Sequence, residues 1–214
     1  PFAALNYRGR YLVEGFAIFQ LNSADLLDTG PAVKTQDGLK ILAFGDPALD
    51  NEALDLRLAV SELEAIRKRV GGATVLTGRG AAEAGIEAAL EGFDVVHFAV
   101  RGRFDQANPL HSGLLLTPGT GQDGILDIRD IFRLHIPGRA VVLSGCDPEP
   151  EANPGGTALA LLQRAFLHAG TRSVLATLWL TAETMASMTS FPTHACAAGS
   201  SAAMSVRPIP ASAA

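Results

Sequence analysis

The amino-acid sequence predicts an α/β protein in which helices flank a central, mainly parallel β-sheet. Short apolar runs rich in β-branched residues alternate along the chain with segments of helical periodicity. The runs are apolar throughout rather than alternately apolar and polar, which is typical of strands buried on both faces of a sheet. With 48% hydrophobic and 18% charged residues, the chain can form a core, and the composition excludes a disordered protein.

The first predicted elements are a strand or hairpin and a buried strand. Tyr11 to Gln20 is rich in aromatic and β-branched residues, and Arg8-Gly9 before it is typical of a turn. A polar loop follows. Leu39 to Phe44 is then an apolar run that ends at Gly45-Asp46-Pro47, so we expect a buried strand there.

An amphipathic helix follows this strand. Its apolar residues recur at three- and four-residue steps, while acidic and basic residues occupy the other face. These apolar residues are Leu56, Leu58, Val60, Leu63, Ile66 and Val70. Gly71-Gly72 is expected to end the helix.

The rest of the chain repeats the alternation of strand and helix. The predicted strands are Ala73 to Leu76, Asp94 to Val100, Ala140 to Ser144 and Ser173 to Leu178. The predicted helices are Ala81 to Leu90, Leu126 to Leu134, Gly156 to Ala169 and Thr181 to Phe191. From His194 to Ala214 the chain is mostly Ala and Ser without apolar periodicity, so we expect one domain over residues 1–193 and a disordered tail over 194–214.

Charge and cysteine content exclude several classes of protein. Seventeen basic and 22 acidic residues give a net charge of −5, which argues against a nucleic-acid or polybasic membrane interface. No apolar run reaches the roughly 20 residues that span a bilayer. Cys146 and Cys196 are too few for a disulfide scaffold, so we expect a cytoplasmic protein. Because the cysteines and histidines lack metal-ligand spacing, we expect no cofactor.

Two strand ends are candidates for chemistry. Ligands and catalytic groups gather beyond the carboxyl ends of the strands in an open α/β sheet. The strand over Val95 to Val100 ends at Arg101-Gly102, and the strand over Val141 to Ser144 runs through Gly145 to a thiol at Cys146. We therefore predict a site that includes this thiol.

Several ordered blocks between Pro1 and Phe191 resemble the CHAT domains, which are caspase-like cysteine peptidase folds often attached to tetratricopeptide repeats. These blocks are Pro1-Phe2-Ala3-Ala4-Leu5, Tyr11-Leu12-Val13-Glu14, Asn22-Ser23-Ala24-Asp25-Leu26, His97-Phe98-Ala99, Pro109-Leu110-His111-Ser112-Gly113-Leu114, Val142-Leu143-Ser144-Gly145-Cys146, and Arg164-Ala165-Phe166-Leu167 running on to Leu178-Trp179.

The resemblance implies a caspase-like three-layer sandwich that acts on, or binds, a protein or peptide. It assigns Cys146 as the nucleophile and Gly102 as a residue whose amide joins that of Cys146 in an oxyanion hole. The family's general-base histidine corresponds to Arg101. A second departure follows the thiol, because Asp147-Pro148-Glu149 replaces the family's acidic-Thr-Gly and reshapes the expected substrate cleft. Since the chain opens at Pro1, we also expect it to come from a longer parent protein with an upstream tetratricopeptide-repeat region.

Arginine at the base position predicts impaired turnover. Peptide hydrolysis needs a group that delivers a proton to the departing amine, which an imidazole can do. A guanidinium keeps its proton at neutral pH, so Arg101 can stabilise a thiolate by charge but cannot shuttle a proton. We interpret the protein as a peptide-binding or signalling module; the alternative is an active cysteine endopeptidase with a non-standard base. Arg101 has an alternative too, as a surface cation paired with Asp105 or Asp147.

Two histidines are possible substitutes for the base. His97 precedes Arg101 by four residues, or about 13 Å along a strand, so we interpret it as a packed strand residue. His111 lies in a predicted loop that could fold over the cleft. We therefore assign His111, together with Asp147, to substrate binding.

Overall fold

The computed structural model describes residues 5–15, 38–51, 56, 58–138, 140–145 and 157–176. Several predictions lie outside these residues. They concern the strand beyond Gly15, the polar loop over residues 28–37, Cys146 and Asp147, the helix over Thr181 to Phe191, and the tail over 194–214.

The N-terminal segment is a hairpin followed by one helical turn. Strands β1 (Asn6–Tyr7) and β2 (Arg10–Tyr11) pair antiparallel, and both turn residues between them have positive φ, 54° at Arg8 and 77° at Gly9. The predicted turn is confirmed. The strand predicted to continue beyond Tyr11 is replaced by helix α1 (Leu12–Gly15), because Glu14 Oε1 accepts a hydrogen bond of 2.8 Å from the Tyr11 amide and caps the helix N-terminus.

Within the described residues, the central sheet contains five parallel strands, which confirms the predicted fold class. The strands are β3 (Ile41–Pro47), β4 (Ala73–Gly78), β5 (Val95–Ala99), β9 (Ala140–Ser144) and β10 (Val174–Ala176). Their order across the sheet is β10-β9-β5-β3-β4. The chain builds the sheet from β3 outward in both directions, and every strand ends at the same edge.

Helices cover both faces of this sheet. Successive residues of a strand point to opposite faces. Helix α2 (Ala59–Arg69) packs through Ala59 and Leu63 against Ala43 and Ala99. The other face is covered by α3 (Ile86–Leu90), α4 (Ile128–Ile131) and α5 (Thr157–His168). The result is a three-layer sandwich.

A row of aromatic rings occupies the core on the α5 side. The Phe44 and Phe98 rings stack with centroids 5.1 Å apart, and Phe166 of α5 lies 5.8 Å from Phe98. All three side chains are fully buried. The larger core is therefore on the face opposite α2. On the α2 face, the small residues Ala43 and Ala99 allow the helix to approach closely.

A small antiparallel sheet, which the sequence analysis did not predict, follows β5. Its strands are β6 (Gly102–Arg103), β7 (Gly113–Leu115) and β8 (Ile125–Asp127), in the order β6-β7-β8. Gly113 allows β7 and β8 to approach closely, because a β-carbon there would overlap the Leu126 carbonyl oxygen. This sheet fixes the backbone that leaves the carboxyl end of β5.

Two predicted helices are shorter than expected. The helix predicted from Ala81 begins only at Ile86, because Gly85 takes a left-handed conformation with φ 78°. The helix predicted over Leu126 to Leu134 is α4 alone, and its first predicted residues belong to β8. Helix α4 begins after Asp127 because the Asp127 side chain accepts hydrogen bonds from the amides of Arg129 and Asp130.

Among the described residues, no helix is long enough and apolar enough to cross a membrane. The longest, α5, has 12 residues.

Candidate functional site

The two predicted strand ends lie side by side. β5 and β9 are neighbours in the sheet, and Ala99 at the end of β5 pairs with Ser144 at the end of β9. Because the strands are parallel, the segments that follow them leave the sheet at the same edge. Arg101 is two residues beyond Ala99, and Gly145 is one residue beyond Ser144.

Gly145 fixes the first step of the chain out of β9. Its φ is +81°, a left-handed conformation that side chains rarely adopt. A β-carbon at this position would lie 2.6 Å from Leu56 Cδ1 and 3.4 Å from the carbonyl oxygen of Val100. The segment after β9 thus passes directly beside the segment after β5, and both the conformation and the space favour glycine.

Arg101 and Gly102 are held by the small antiparallel sheet. The Arg101 carbonyl oxygen accepts a hydrogen bond of 2.8 Å from the Leu115 amide, and Gly102 pairs with Leu114. Hydrogen-bonded and non-hydrogen-bonded pairs alternate along an antiparallel ladder, so the Gly102 amide points away from β7. Both residues are half-buried. The backbone at the predicted base and oxyanion positions therefore has a fixed direction.

Behind the strand ends, a carboxylate of α2 links β5 to β9. Glu62 Oε1 lies 2.9 Å from His97 Nε2, and Glu62 Oε2 accepts a hydrogen bond of 3.1 Å from Ser144 Oγ. The side chain of His97 is 10% exposed and that of Glu62 19%. His97 is therefore a packed strand residue, as the sequence analysis interpreted it, with a polar partner on the helix.

Amphipathic periodicity does not single out Glu62, because it predicts that the acidic residues of α2 lie on the solvent face. The spacing of Glu62 from the apolar residues of α2 does indicate its position. Glu62 follows Ala59 by three residues and precedes Ile66 by four, so it shares the face that packs on the sheet. A lone acidic residue on such a face, opposite a strand histidine, points to a buried polar contact.

His111 lies in a 3₁₀ turn (Pro109–His111) near the start of α4. Its Nδ1 is 3.8 Å from Asp127 Oδ2, and its side chain is 38% exposed. The structure thus places His111 beside the carboxylate that caps α4. Its predicted contact with substrate stays a prediction.

The acidic groups at α4 have opposite pKa shifts. Burial alone would raise the pKa of Asp127, but hydrogen bonds from the Arg129 guanidinium and from the Asp130 amide outweigh burial and hold this pKa below its usual value. Arg129 Nε donates one of these bonds at 3.0 Å. The pKa of Asp130 is raised by its burial and by the negative charge of Asp127. Of these two carboxyl groups, Asp127 therefore has the lower pKa and ionises more readily.

Comparison with protein families decides the identity of the fold. The family model described as the CHAT domain matches residues 1–207. The chain belongs to the CHAT domain family. No curated protein matches it. The match covers the sheet and every helix described above, so the caspase-like three-layer architecture and the relationship to caspase-like peptidases follow from sequence and structure together.

In this CHAT domain, the structure brings Arg101, Gly102 and Gly145 to one edge of the sheet and places the Glu62 carboxylate behind Ser144. Cys146 and Asp147 follow Gly145 directly in the chain, outside the described residues. Within the residues that the structure describes, no three His, Cys, Asp or Glu side chains form a group that could hold a metal ion. The described part of the site therefore contains the backbone of Arg101, Gly102 and Gly145 and, behind Ser144, the partly buried carboxylate of Glu62.

Proposed function

We propose that this CHAT domain binds peptides in the cleft of a cysteine peptidase fold and hydrolyses them very slowly or not at all, because Arg101 occupies the position of the general base. The observation that carries the proposal is the pairing of Ala99 with Ser144. Arg101 and Cys146 each follow this pair by two residues in the sequence. The proposal sets the thiol opposite the guanidinium, which keeps its proton at neutral pH.

Arginine at the base position preserves stabilisation of the thiolate but removes proton transfer. A cation beside the sulfur stabilises the thiolate, which is the form that attacks electrophiles. Hydrolysis of a peptide bond also requires that a proton move from the thiol to the departing amine, and the guanidinium neither accepts nor releases one at neutral pH. A reactive thiol without peptide turnover is the expected combination.

The contacts of the four described histidines argue against any of these four as a substitute base. His97 is buried and bonded to Glu62, and His111 lies beside Asp127. His168 on α5 packs edge-on against Phe132, and His135 is exposed after α4. The contacts or the exposure of each of these four rings can therefore be explained without a catalytic role.

Peptide binding is supported by the direction of the Gly102 amide. This N–H points away from β7 and is not used in the ladder between β6 and β7, and the proposal makes it a donor at the edge where the parallel strands end. Such an amide is the kind of group that binds a peptide carbonyl oxygen. The arginine leaves this binding element in place.

Restoring the base tests the proposal. Arg101→His, in a Cys196→Ser background that leaves one thiol, is compared with wild type on a panel of fluorogenic peptides. We expect measurable cleavage by Arg101→His, none by the double variant with Cys146→Ala, and a wild type at least about a hundredfold slower, since general acid–base catalysis contributes about 10²- to 10⁴-fold.

Arg103→His is the matched control, because Arg103 lies two residues away in β6 and is exposed. It is expected to leave cleavage at the wild-type rate. Wild-type cleavage that disappears in Cys146→Ala would favour the alternative, an active endopeptidase with a non-standard base. Restoration of cleavage by Arg103→His would contradict the assignment of the base position to Arg101.

A further inference from the structure

A partly buried polar bridge connects α2 to the two strands that lead into the candidate site. We call Glu62, His97 and Ser144 the Glu62 bridge. Its three residues come from α2, β5 and β9, and the hydrogen bonds span 35 and 82 residues of sequence. It lies on the α2 face of the sheet.

The donor and acceptor roles in the bridge follow from the chemistry of its groups. An ionised carboxylate only accepts hydrogen bonds, so His97 Nε2 and Ser144 Oγ both donate. Each oxygen of Glu62 holds one strand. A single side chain therefore contacts both β5 and β9 on this face, in addition to the backbone hydrogen bonds of the sheet.

The packing of α2 on the sheet does not require a carboxylate at residue 62. The neighbouring contacts of α2 are small and apolar, through Ala59 and Leu63 against Ala99, and the helix approaches so closely that a β-carbon on Gly45 would lie 2.6 Å from Leu63 Cδ1. Removing a carboxylate from water has a desolvation cost, and apolar residues of similar volume often replace buried polar groups without loss of stability. The polar bridge is therefore better explained by what it orients than by stability.

What the bridge orients is the chain immediately before the thiol. Ser144 precedes Gly145, whose left-handed backbone is packed between Leu56 and the Val100 carbonyl oxygen. Fixing the Ser144 side chain fixes the start of this turn. The next residue in the sequence is Cys146.

We propose that Glu62 is a positioning residue for the Cys146 thiol and acts through its hydrogen bond to Ser144. The proposal rests on the proposed function, since it takes Cys146 as the reactive group at this edge of the sheet. His97 supports the other oxygen of the carboxylate and so determines the rotamer in which Glu62 meets Ser144.

The test measures how fast iodoacetamide alkylates Cys146 in the full chain, in the Cys196→Ser background. In this reaction the thiolate sulfur bonds to the methylene carbon and iodide leaves. Rates are measured across pH under conditions in which every variant remains folded. The high-pH plateau reports the orientation and accessibility of the sulfur, while the midpoint of the profile reports its ionisation.

Glu62→Ala and Ser144→Ala remove the contact at its two ends, and Glu62→Gln keeps a side chain that can accept from Ser144. We expect roughly tenfold lower plateau rates for the two alanine variants, in keeping with the loss of a hydrogen bond to a charged group, and a rate near wild type for Glu62→Gln. Leu63→Ala is the matched control, because it weakens the packing of the same helix without touching the bridge. It is expected to retain the wild-type plateau.

The outcomes separate this inference from the proposed function. A wild-type Cys146 that reacts no faster than free cysteine contradicts the proposed site, and the inference fails with it. A fast wild-type thiol whose plateau is unchanged in Glu62→Ala and Ser144→Ala contradicts the role of Glu62 alone. Equal losses in Glu62→Ala and Leu63→Ala would assign Glu62 a merely structural role and overturn the inference as well.

Discussion

Ala99 and Ser144 pair at the carboxyl ends of two neighbouring parallel strands. This pairing determines the layout of the candidate site, because the segments that follow β5 and β9 both leave the sheet at this edge. One continues to Arg101 and Gly102, which the small antiparallel sheet holds, and the other to Gly145. Behind it, the Glu62 carboxylate binds Ser144 from the helix layer.

Gly145→Ala is expected to destabilise the protein more than alanine at a glycine with similar φ and free space. Gly92 has φ 79°, and a β-carbon added there would have no atom within 4 Å, whereas a β-carbon at Gly145 would meet Leu56 Cδ1. The left-handed conformation costs each variant about 1 to 2 kcal/mol. Overpacking adds about 1 kcal/mol or more at Gly145 alone.

Urea unfolding of the two variants measures this difference, and alkylation of Cys146 measures its effect on the site. Gly145→Ala is expected to slow alkylation and Gly92→Ala to leave it unchanged. Equal unfolding midpoints for the two variants would mean that the turn after β9 is not as tightly packed as the structure indicates.

Asp127→Asn is expected to lower stability at neutral pH by about 1 kcal/mol and to have less effect in acid. The pKa of Asp127 is lowered in the folded protein. An acid with a lowered folded pKa contributes stability that is fully present above its unfolded pKa of about 3.9 and is lost as the pH falls below that value. The difference between wild type and Asp127→Asn should therefore shrink below about pH 4.

Urea unfolding at a series of pH values between 7 and 3 measures this difference. Asp50→Asn is a suitable control, because Asp50 is exposed. It should change stability little at any of these pH values. A wild-type advantage over Asp127→Asn that persists unchanged at pH 3 would contradict the lowered pKa.

Phe98→Ala is expected to cost about 3 to 5 kcal/mol, the usual range for removing a fully buried aromatic side chain. Phe98 lies between Phe44 and Phe166, so removing its ring opens a cavity between the sheet and α5. Phe132→Ala is the control, because its side chain is 40% exposed, and we expect a cost below about 1 kcal/mol. Similar thermal or urea midpoints for the two variants would show that the aromatic row does not hold the layers together.

Most of the central sheet was predictable from the sequence because its strands carry their own signal. Strands inside a parallel sheet are mostly apolar, so the run Ala140 to Ser144, with four apolar residues of five, predicts the bounds that β9 has. The small sheet was not predictable, since β6 to β8 have only two or three residues each and such runs have no periodicity. The shortened α3 depended on the left-handed conformation of Gly85.

By itself, the sequence determined the alternation of strand and helix, the family resemblance and the arginine that follows the end of β5, because apolar patterning and residue identity are local properties of the chain. Tertiary structure alone decided which strand ends meet and which polar groups lie between the layers. Glu62 is 35 residues from His97 and 82 from Ser144 in the chain. Only the packing of α2 on the sheet brings these three side chains within hydrogen-bonding distance, since hydrogen bonds depend on position in space and not on separation in sequence.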